Sequence, residues 1–300
     1  MRNAINHDRS PLSVEELRHR IAVQPANAVY EHVVAEMDTY VVGEARFNRE
    51  IHLKDTGSFR ASITVDREMW HRGIGSGLWS HLLHRARERG VTRMVTTIRE
   101  DLPRAQEFAQ RRAFHPSGRI HRISRLDVAS ANLDRCRRGA VTVEEAGIRI
   151  ATLAELGPDD ETLLRAIHQV DEESARDMPS SAEWGSIPFE QWRTETMEDP
   201  SVSPDAFWIA LDGEQPVGLA VLDLRSDGNA GNAYTGVSRR YRGRGVARAL
   251  KLRTVEWAAQ QGVPYIYTGN DVANEAMLAI NIDMGYQPLP AIIEFVRASF

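Results

Sequence analysis

Apolar and polar positions along the chain fall into short alternating runs and longer helical stripes, and the same succession occurs twice. In the first half, Ser13 to Ile21 carries the Ser-x-x-Glu signature of a capped helix, with Ser13 and Glu16 in the capping roles. Val33 to Glu36 and Tyr40 to Ala45 alternate as a hairpin across Met37-Asp38-Thr39. Ser58 to Val65 predicts a strand, Ile74 to Glu88 a helix, Arg93 to Ile98 a strand, and Ile120 to Leu126 a strand that closes this sheet. The second half opens with a strand over Ile148 to Leu153 and a helix from Pro158 to Glu172, capped near Gly157. A hairpin follows, Ala206 to Leu211 and Val217 to Leu224 around Asp212-Gly213. Then come a strand over Asn232 to Val237, an apolar helix over Val246 to Gln261, a buried strand over Tyr265 to Thr268 and a helix over Glu275 to Met284.

Between that strand and that apolar helix stands Arg242-Gly243-Arg244-Gly245-Val246-Ala247. A loop so placed aims unpaired backbone N–H groups and the positive end of a helix at one point, which suits a pyrophosphate. Glycines let the backbone approach closely, and Arg242 and Arg244 add positive charge. A Walker loop would need a Lys after the glycines, and a dinucleotide fingerprint would need G-x-G-x-x-G; neither is present. Taken alone, such a turn reads more readily as an ordinary surface turn before a helix.

The stretch resembles the R-x-x-G-x-[GA] acyl-CoA loop of the GNAT superfamily of N-acetyltransferases, with Arg242, Gly245 and Ala247 in the defining places. Downstream, Asn270-Asp271-Val272-Ala273-Asn274, the helix to Met284 and its closing Gly285-Tyr286 resemble the family's next motif, with Asn274 opening the helix. The first half echoes both motifs. Ile63 to Val65 followed by Trp70-His71-Arg72-Gly73-Ile74-Gly75-Ser76-Gly77 parallels the later loop, and Gly73 and Gly245 lie 172 residues apart. Ala113-Phe114 stands at the same offset from Gly285-Tyr286. A constant offset across two landmarks argues for tandem duplication. The resemblance implies an α/β fold: two tandem GNAT-like domains, each a twisted mixed sheet flanked by helices, with splayed central strands.

The copies are unequal. Trp70 replaces the leading Arg, Leu102 the helix-opening Asn, and Ala113 the Gly before the aromatic; Pro103 suits a helix start but offers no amide. The first copy (residues 11–128) is therefore expected to be degenerate, bracing the second, although Gly73, Gly75 and Gly77 leave residual CoA binding open. A composition shift to Arg, Ala, Glu and Asp places an interdomain connection, with some helix, over Asp127 to Gly147, and the linker at 129–146. The catalytic copy is then 147–300.

Composition agrees: 300 residues with 42% apolar content suffice for two cores. A net charge of -5 gives no general attraction to nucleic acid, and the Arg-rich patches at 111–112 and 135–138 lack interleaved aromatics. No apolar run reaches membrane-span length and Met1 to Ser10 is polar, so a cytoplasmic protein is expected. Cys136 is the only cysteine, which excludes an intrachain disulfide, and its polar, Arg-rich surroundings do not suggest a catalytic thiol. His81 and His84 share a helix face without a third ligand; His168 sits on an apolar-periodic helix; Gly-x-Ser-x-Gly is absent.

What the resemblance implies chemically is direct attack of an amine on the thioester of acetyl-CoA, bound as acyl donor between the splayed strands. The Val237 backbone would take the pantetheine arm and polarise the carbonyl, and Asn274 would orient that arm, beside the loop of Arg242, Gly243, Arg244, Gly245, Val246 and Ala247. The family's usual thiolate acid is a Tyr seven residues after the motif Asn; here that position is Asn281, which cannot supply a proton at neutral pH, and the first copy has Ala109. Tyr234 and water are the substitutes, with a sheet-packing role the competing account of Tyr234. Asp177 and Glu173, through an ordered water, are the candidate bases. The segment Glu172 to Pro200 would cover the acceptor side; its Glu172, Glu173, Asp177 and Glu183 would favour a cationic amine, or it is a solvated loop with core aromatics. The expected acceptor is a small-molecule amine, such as an amino sugar, antibiotic or other specialised metabolite, and the protein a monomer or homodimer. Longer acyl chains, a protein amine and a non-catalytic acyl-CoA-binding module are the alternatives.

Overall fold

The structure is a computed structural model, and it describes all residues except 1–10, 12, 25–27, 50–52 and 299. The polar Met1 to Ser10 stretch lies outside the described residues. In the first half, α1 (Val14–Ala22) precedes a hairpin of β1 (Tyr30–Met37) and β2 (Tyr40–Arg49), then β3 (Ser58–Val65), α2 (Ile74–Glu88), β4 (Arg93–Arg99), α3 (Pro103–Gln110) and the long β5 (His115–Asp127). The second half runs α4 (Asp134–Glu145), β6 (Ile148–Thr152), α5 (Leu153–Leu156), α6 (Glu161–Ala175), α7 (Phe189–Thr196), β7 (Val202–Asp212), β8 (Gln215–Leu224) and β9 (Ala230–Val237). It ends with α8 (Val246–Gln260), β10 (Tyr265–Asp271), α9 (Glu275–Met284), β11 (Gln287–Pro288) and β12 (Ile292–Arg297). The predicted capping box at Ser13 and Glu16 is present: each side chain accepts from the other residue's backbone N–H.

The duplication extends to the backbone. The bounds 58–65, 74–88 and 93–99 of β3, α2 and β4 recur 172 residues later in β9, α8 and β10. Even the substituted C-cap keeps its shape: Gly285 has φ 95°, and Ala113 holds φ 59° in the same left-handed region, at a cost of roughly 1–2 kcal/mol for a residue with a Cβ.

Among the described residues the strands form one mixed sheet in the order β1-β2-β3-β4-β12-β5-β10-β9-β8-β7-β6, with β11 beside β5. Each half lends its last strand to the other. β12, at the end of the second half, pairs antiparallel with β4 and β5, and β5 pairs with β10 from Asp127 to His121. The cores follow suit. Phe295 of β12 is buried with Phe47, Phe59, Leu82 and Met94 beneath α2, while Leu126 of β5 is buried with Val143, Leu250 and Ile266 beneath α4 and α8. Residues 129–146 hold α4, whose Cys136, Ala140 and Val143 are buried against that core. Cys136 thus sits in an apolar interior despite its polar sequence neighbours, and burial pushes its thiol pKa up. A third cluster, Leu164, Ile167, Trp192, Phe207 and Ile209 among it, packs α6 and α7 on the opposite face of the second half's sheet. No described helix is long and apolar enough to cross a membrane.

Candidate active site

Parallel strands β9 and β10 pair only at Ala230 with Ile266 and Gly231 with Tyr267. Beyond Gly231, β9 stays with β8 while β10 stays with β5, so the two strands part and open a wedge. On β9 the divergence coincides with a register shift against β8, between Leu222 opposite Asn232 and Val221 opposite Tyr234. A bulge of this kind bends the strand and redirects the side chains beyond it.

The loop lies at the mouth of the wedge. Gly243 and Gly245 take φ 74° and 86°, left-handed values that a glycine adopts without strain. Gly245 is the N-cap of α8 and provides no side-chain cap, so the first N–H groups of the helix are left for a ligand. Arg242 locks the loop: its Nε donates to the Val237 carbonyl at 2.9 Å and its Nη1 meets Asp177 at 2.6 Å. Arg239 meets the same carboxylate through Nε and Nη2, at 2.7 and 2.6 Å. These guanidiniums, Arg239 foremost, hold the Asp177 carboxyl far below the usual carboxylate range. Arg244 stands over the Tyr241 ring, 5.3 Å from its centroid.

A cavity of about 530 Å³ extends from this loop into the wedge. Val237, Arg242, Gly243, Gly245, Val246 and Ala247 line its loop side, and Asn274, Met277 and Ile280 its α9 side. Asn274 is the N-cap of α9, its Oδ1 accepting the Met277 N–H at 3.3 Å, which leaves Nδ2 as its donor. The arrangement of unclaimed N–H groups, two positive-φ glycines and arginines fits the diphosphate of coenzyme A, and the open wedge fits its extended arm.

Tyr234 lines the inner part of the cavity. Its hydroxyl lies 2.8 Å from Ser174 Oγ, which in turn donates to the Val170 carbonyl at 2.7 Å, so the phenol is the donor to Ser174. Burial, followed by the nearby Asp171 carboxylate, pushes the Tyr234 pKa up, so the phenol keeps its proton at neutral pH. Gly236 makes room for this pair: a Cβ there would lie 2.3 Å from Ser174 Oγ. Ser174 was absent from the sequence expectations, though it leaves a signal, a Ser continuing the apolar stripe Leu164, Ile167, Val170 of α6.

The other expected residues lie elsewhere. Asn281 does not line the cavity; it is 2% exposed and donates to Asn270 Oδ1 at 2.8 Å. Glu173 accepts the Arg239 backbone N–H at 3.2 Å and does not line the cavity either, whereas Asp177 does. The remaining acids of the covering segment are also engaged, Glu172 by Ser186 and Arg176, Glu183 by Lys54. A second unforeseen residue is Lys251 of α8, fully buried and donating to Asn232 Oδ1; burial lowers its pKa to about 7. Asn232 Nδ2 then reaches the Tyr234 carbonyl at 2.9 Å, tying the bulge to the helix.

The corresponding place in the first half is filled. Trp70 Nε1 donates to the Val65 carbonyl at 3.0 Å, and Phe108 stands 3.2 Å from where a Gly75 Cβ would be. Arg112 stacks on Phe108, 3.4 Å from the ring centroid, and donates to Ser76 Oγ at the start of α2. Ala247, Ile280 and Met284 occupy the equivalent places in the second half, and the first two line the cavity.

Comparisons with known proteins agree with this geometry. The tandem GNAT protein from the clavulanic acid biosynthesis pathway superposes with a TM-score of 0.74 at 20% identity, over 96% of this chain and 89% of that one. The GCN5-related N-acetyltransferase from Sphaerobacter thermophilus gives 0.70 at 17% identity, over 95% and 85%. A GCN5-related glucosamine N-acetyltransferase region of a fungal multi-domain GH3 β-N-acetylglucosaminidase gives 0.71 at 14% identity, over 98% of this chain and 36% of that one. At these identities the likeness shows the tandem fold. No curated protein matches the chain in sequence. The model of the acetyltransferase (GNAT) family matches residues 3–114 and again 166–281. Matched twice over most of its length and folded as two such halves, the chain belongs to the GNAT acetyltransferase family and is a tandem member of it.

Proposed function

We propose that the second half transfers the acetyl group of acetyl-CoA to a primary amine of a small molecule, such as an amino sugar, antibiotic or other specialised metabolite, by direct attack. One observation carries this reading: the β9–β10 wedge is open to a 530 Å³ cavity with the α8 loop at its mouth, whereas Phe108 and Arg112 fill the counterpart in the first half.

When bound, acetyl-CoA supplies a thioester whose carbonyl carbon the amine attacks. The chain's part is to hold and orient. Gly243, Gly245 and the first N–H groups of α8 receive the diphosphate, with Arg242 and Arg244 adding charge. The β9 edge from Thr235 to Val237 and the Asn274 amide line the path of the arm. Tyr234, protonated and hydrogen-bonded, is the donor for the departing sulfur, a role for which buried Asn281 is out of place. Asp177, gripped as its anion by two guanidiniums, serves as the anchor of the loop. The amine proton leaves through water, with Glu173 the nearer exposed carboxylate to take it.

Thiol release from acetyl-CoA across a panel of amines tests the proposal, with products identified by mass spectrometry. Saturable CoA binding with no thiol release from any amine would favour a binding module instead. Release with longer acyl donors in preference to acetyl would shift the donor, and acetylation confined to protein amines would shift the acceptor.

A further inference from the structure

A second cavity, of about 350 Å³, opens where the two halves meet, within the usual size of small-molecule sites, about 300–1,000 Å³. Its floor is the first half's sheet. Asn48 and Arg60 are paired neighbours on β2 and β3, while Phe47 and Phe59 beside them point the other way, into the core beneath α2. Arg119 and His121 of β5 and Glu294 of the exchanged strand β12 extend that floor. The wall is the segment after α6, with Pro179, Ser181 and Trp184. Pro179 lines this cavity and the wedge cavity alike, so a ligand here is a neighbour of the acyl site.

Charge and hydrogen bonding define what fits. Three guanidiniums, Arg49, Arg60 and Arg119, face two carboxylates, Glu195 and Glu294. The acids that the sequence suggested for drawing in a cation are engaged elsewhere, Asp177 by Arg239 and Arg242 and Glu183 by Lys54. Two buried atoms of lining residues have no hydrogen-bond partner. One is Arg119 Nε, 3.4 Å from Asp271 Oδ2 without bonding to it. The other is Oε1 of Glu294, a residue 6% exposed, with Arg93 Nη2 3.7 Å away. A buried donor and a buried acceptor left open cost stability unless something fills them.

The geometry points to an acceptor that carries a carboxylate as well as its amine, bound in the inter-half cavity. Arg60 and Arg119 hold the anion, Glu294 accepts an N–H of the ligand, and the reacting amine passes Pro179 into the wedge. The C–N bond forms as the thioester C–S bond breaks; the amine proton leaves to water and the sulfur takes up one. This rests on the second half being the acetyltransferase, and it makes the first half the part that selects the acceptor.

Matched probes test it: ω-amino acids of three to six carbons against n-alkylamines of equal length. Trp184 lines the cavity, so its fluorescence, assigned by loss of the signal in Trp184→Phe, reports binding. The wild type should bind the amino acids at least about tenfold more tightly than the amines, the scale of a charge-assisted pair. Arg60→Met should erase that preference while calorimetry shows acetyl-CoA binding unchanged. Equal or tighter binding of the alkylamines by the wild type, or no saturable signal from any amino acid, overturns the inference, and neither result needs a variant to fold. Absence of acetyl-CoA binding in the same calorimetry would count against the acetyltransferase reading, independently of the anion titration.

Discussion

Trp70 and Arg242 stand 172 residues apart and make the same bond, each from a side-chain N–H to the carbonyl ending the preceding strand, Val65 at 3.0 Å and Val237 at 2.9 Å. The indole has one N–H to give and no charge, so its bond exhausts it. The guanidinium keeps donors for Asp177 and a positive charge for a phosphate. One backbone shape is thus retained in both halves while the chemistry of anion binding is kept in one.

The two loops should therefore respond differently to the same insult. Gly245→Trp, at φ 86°, should abolish acetyl-CoA binding in calorimetry and thiol release with it, whereas Gly73→Trp, at φ 83°, should leave most turnover. Equal loss from both would mean that the first half carries catalysis too.

Tyr234→Phe removes the only proton the phenol can give. A fall in kcat of about 10²-fold, the lower range for general acid catalysis, is expected with the acetyl-CoA Kd unchanged. An unchanged kcat would reduce Tyr234 to a packing residue of the sheet.

Asp177→Asn should release Arg239 and Arg242 and weaken acetyl-CoA binding by about tenfold, a loss on the scale of a charge-assisted hydrogen bond. The pH profile of kcat should keep its shape, since the two guanidiniums hold this carboxylate ionised across the working range. Disappearance of the acidic limb in the variant would restore Asp177 as the base.

Lys251 makes stability depend on pH. Its folded pKa, about 7, is depressed by burial from 10.5, so between these values the unfolded chain holds a proton that the native state lacks. Its stabilising contribution is full above pH 10.5 and is lost as pH falls toward 7, with a slope of up to about 1.4 kcal/mol per pH unit. Denaturation midpoints measured from pH 7 to 10 should rise with pH in the wild type, and the slope should flatten in Lys251→Met. Parallel curves for the two proteins would show that the amine is charged in the native state.

The phosphate loop, the helix it opens and the repeat were legible because they are local: positive-φ glycines, a strand before and a helix after can be read within twenty residues of one another. The exchange of last strands was not. Ile120 to Leu126 reads as a strand closing its own sheet, and which strand it lies beside depends on surfaces formed by residues more than a hundred positions away. Asp177 reads as a free carboxylate until the fold brings Arg239 and Arg242 to it across more than sixty residues. Lys251 reads as a solvated helix residue, and Asn281 as a residue at the reacting centre, because neither the packing of α8 nor the facing of α9 is written in the spacing.

By itself the sequence determined the backbone conformations at each loop, cap and turn, and with them the two GNAT-like copies, since those depend on which residues tolerate a left-handed φ or leave an N–H unclaimed. Only the tertiary structure decided which wedge stays open, which charges are neutralised and what lines the space between the halves. Those outcomes depend on contacts between distant segments, where burial strengthens every charge interaction and a single ring such as Phe108 closes or spares a site.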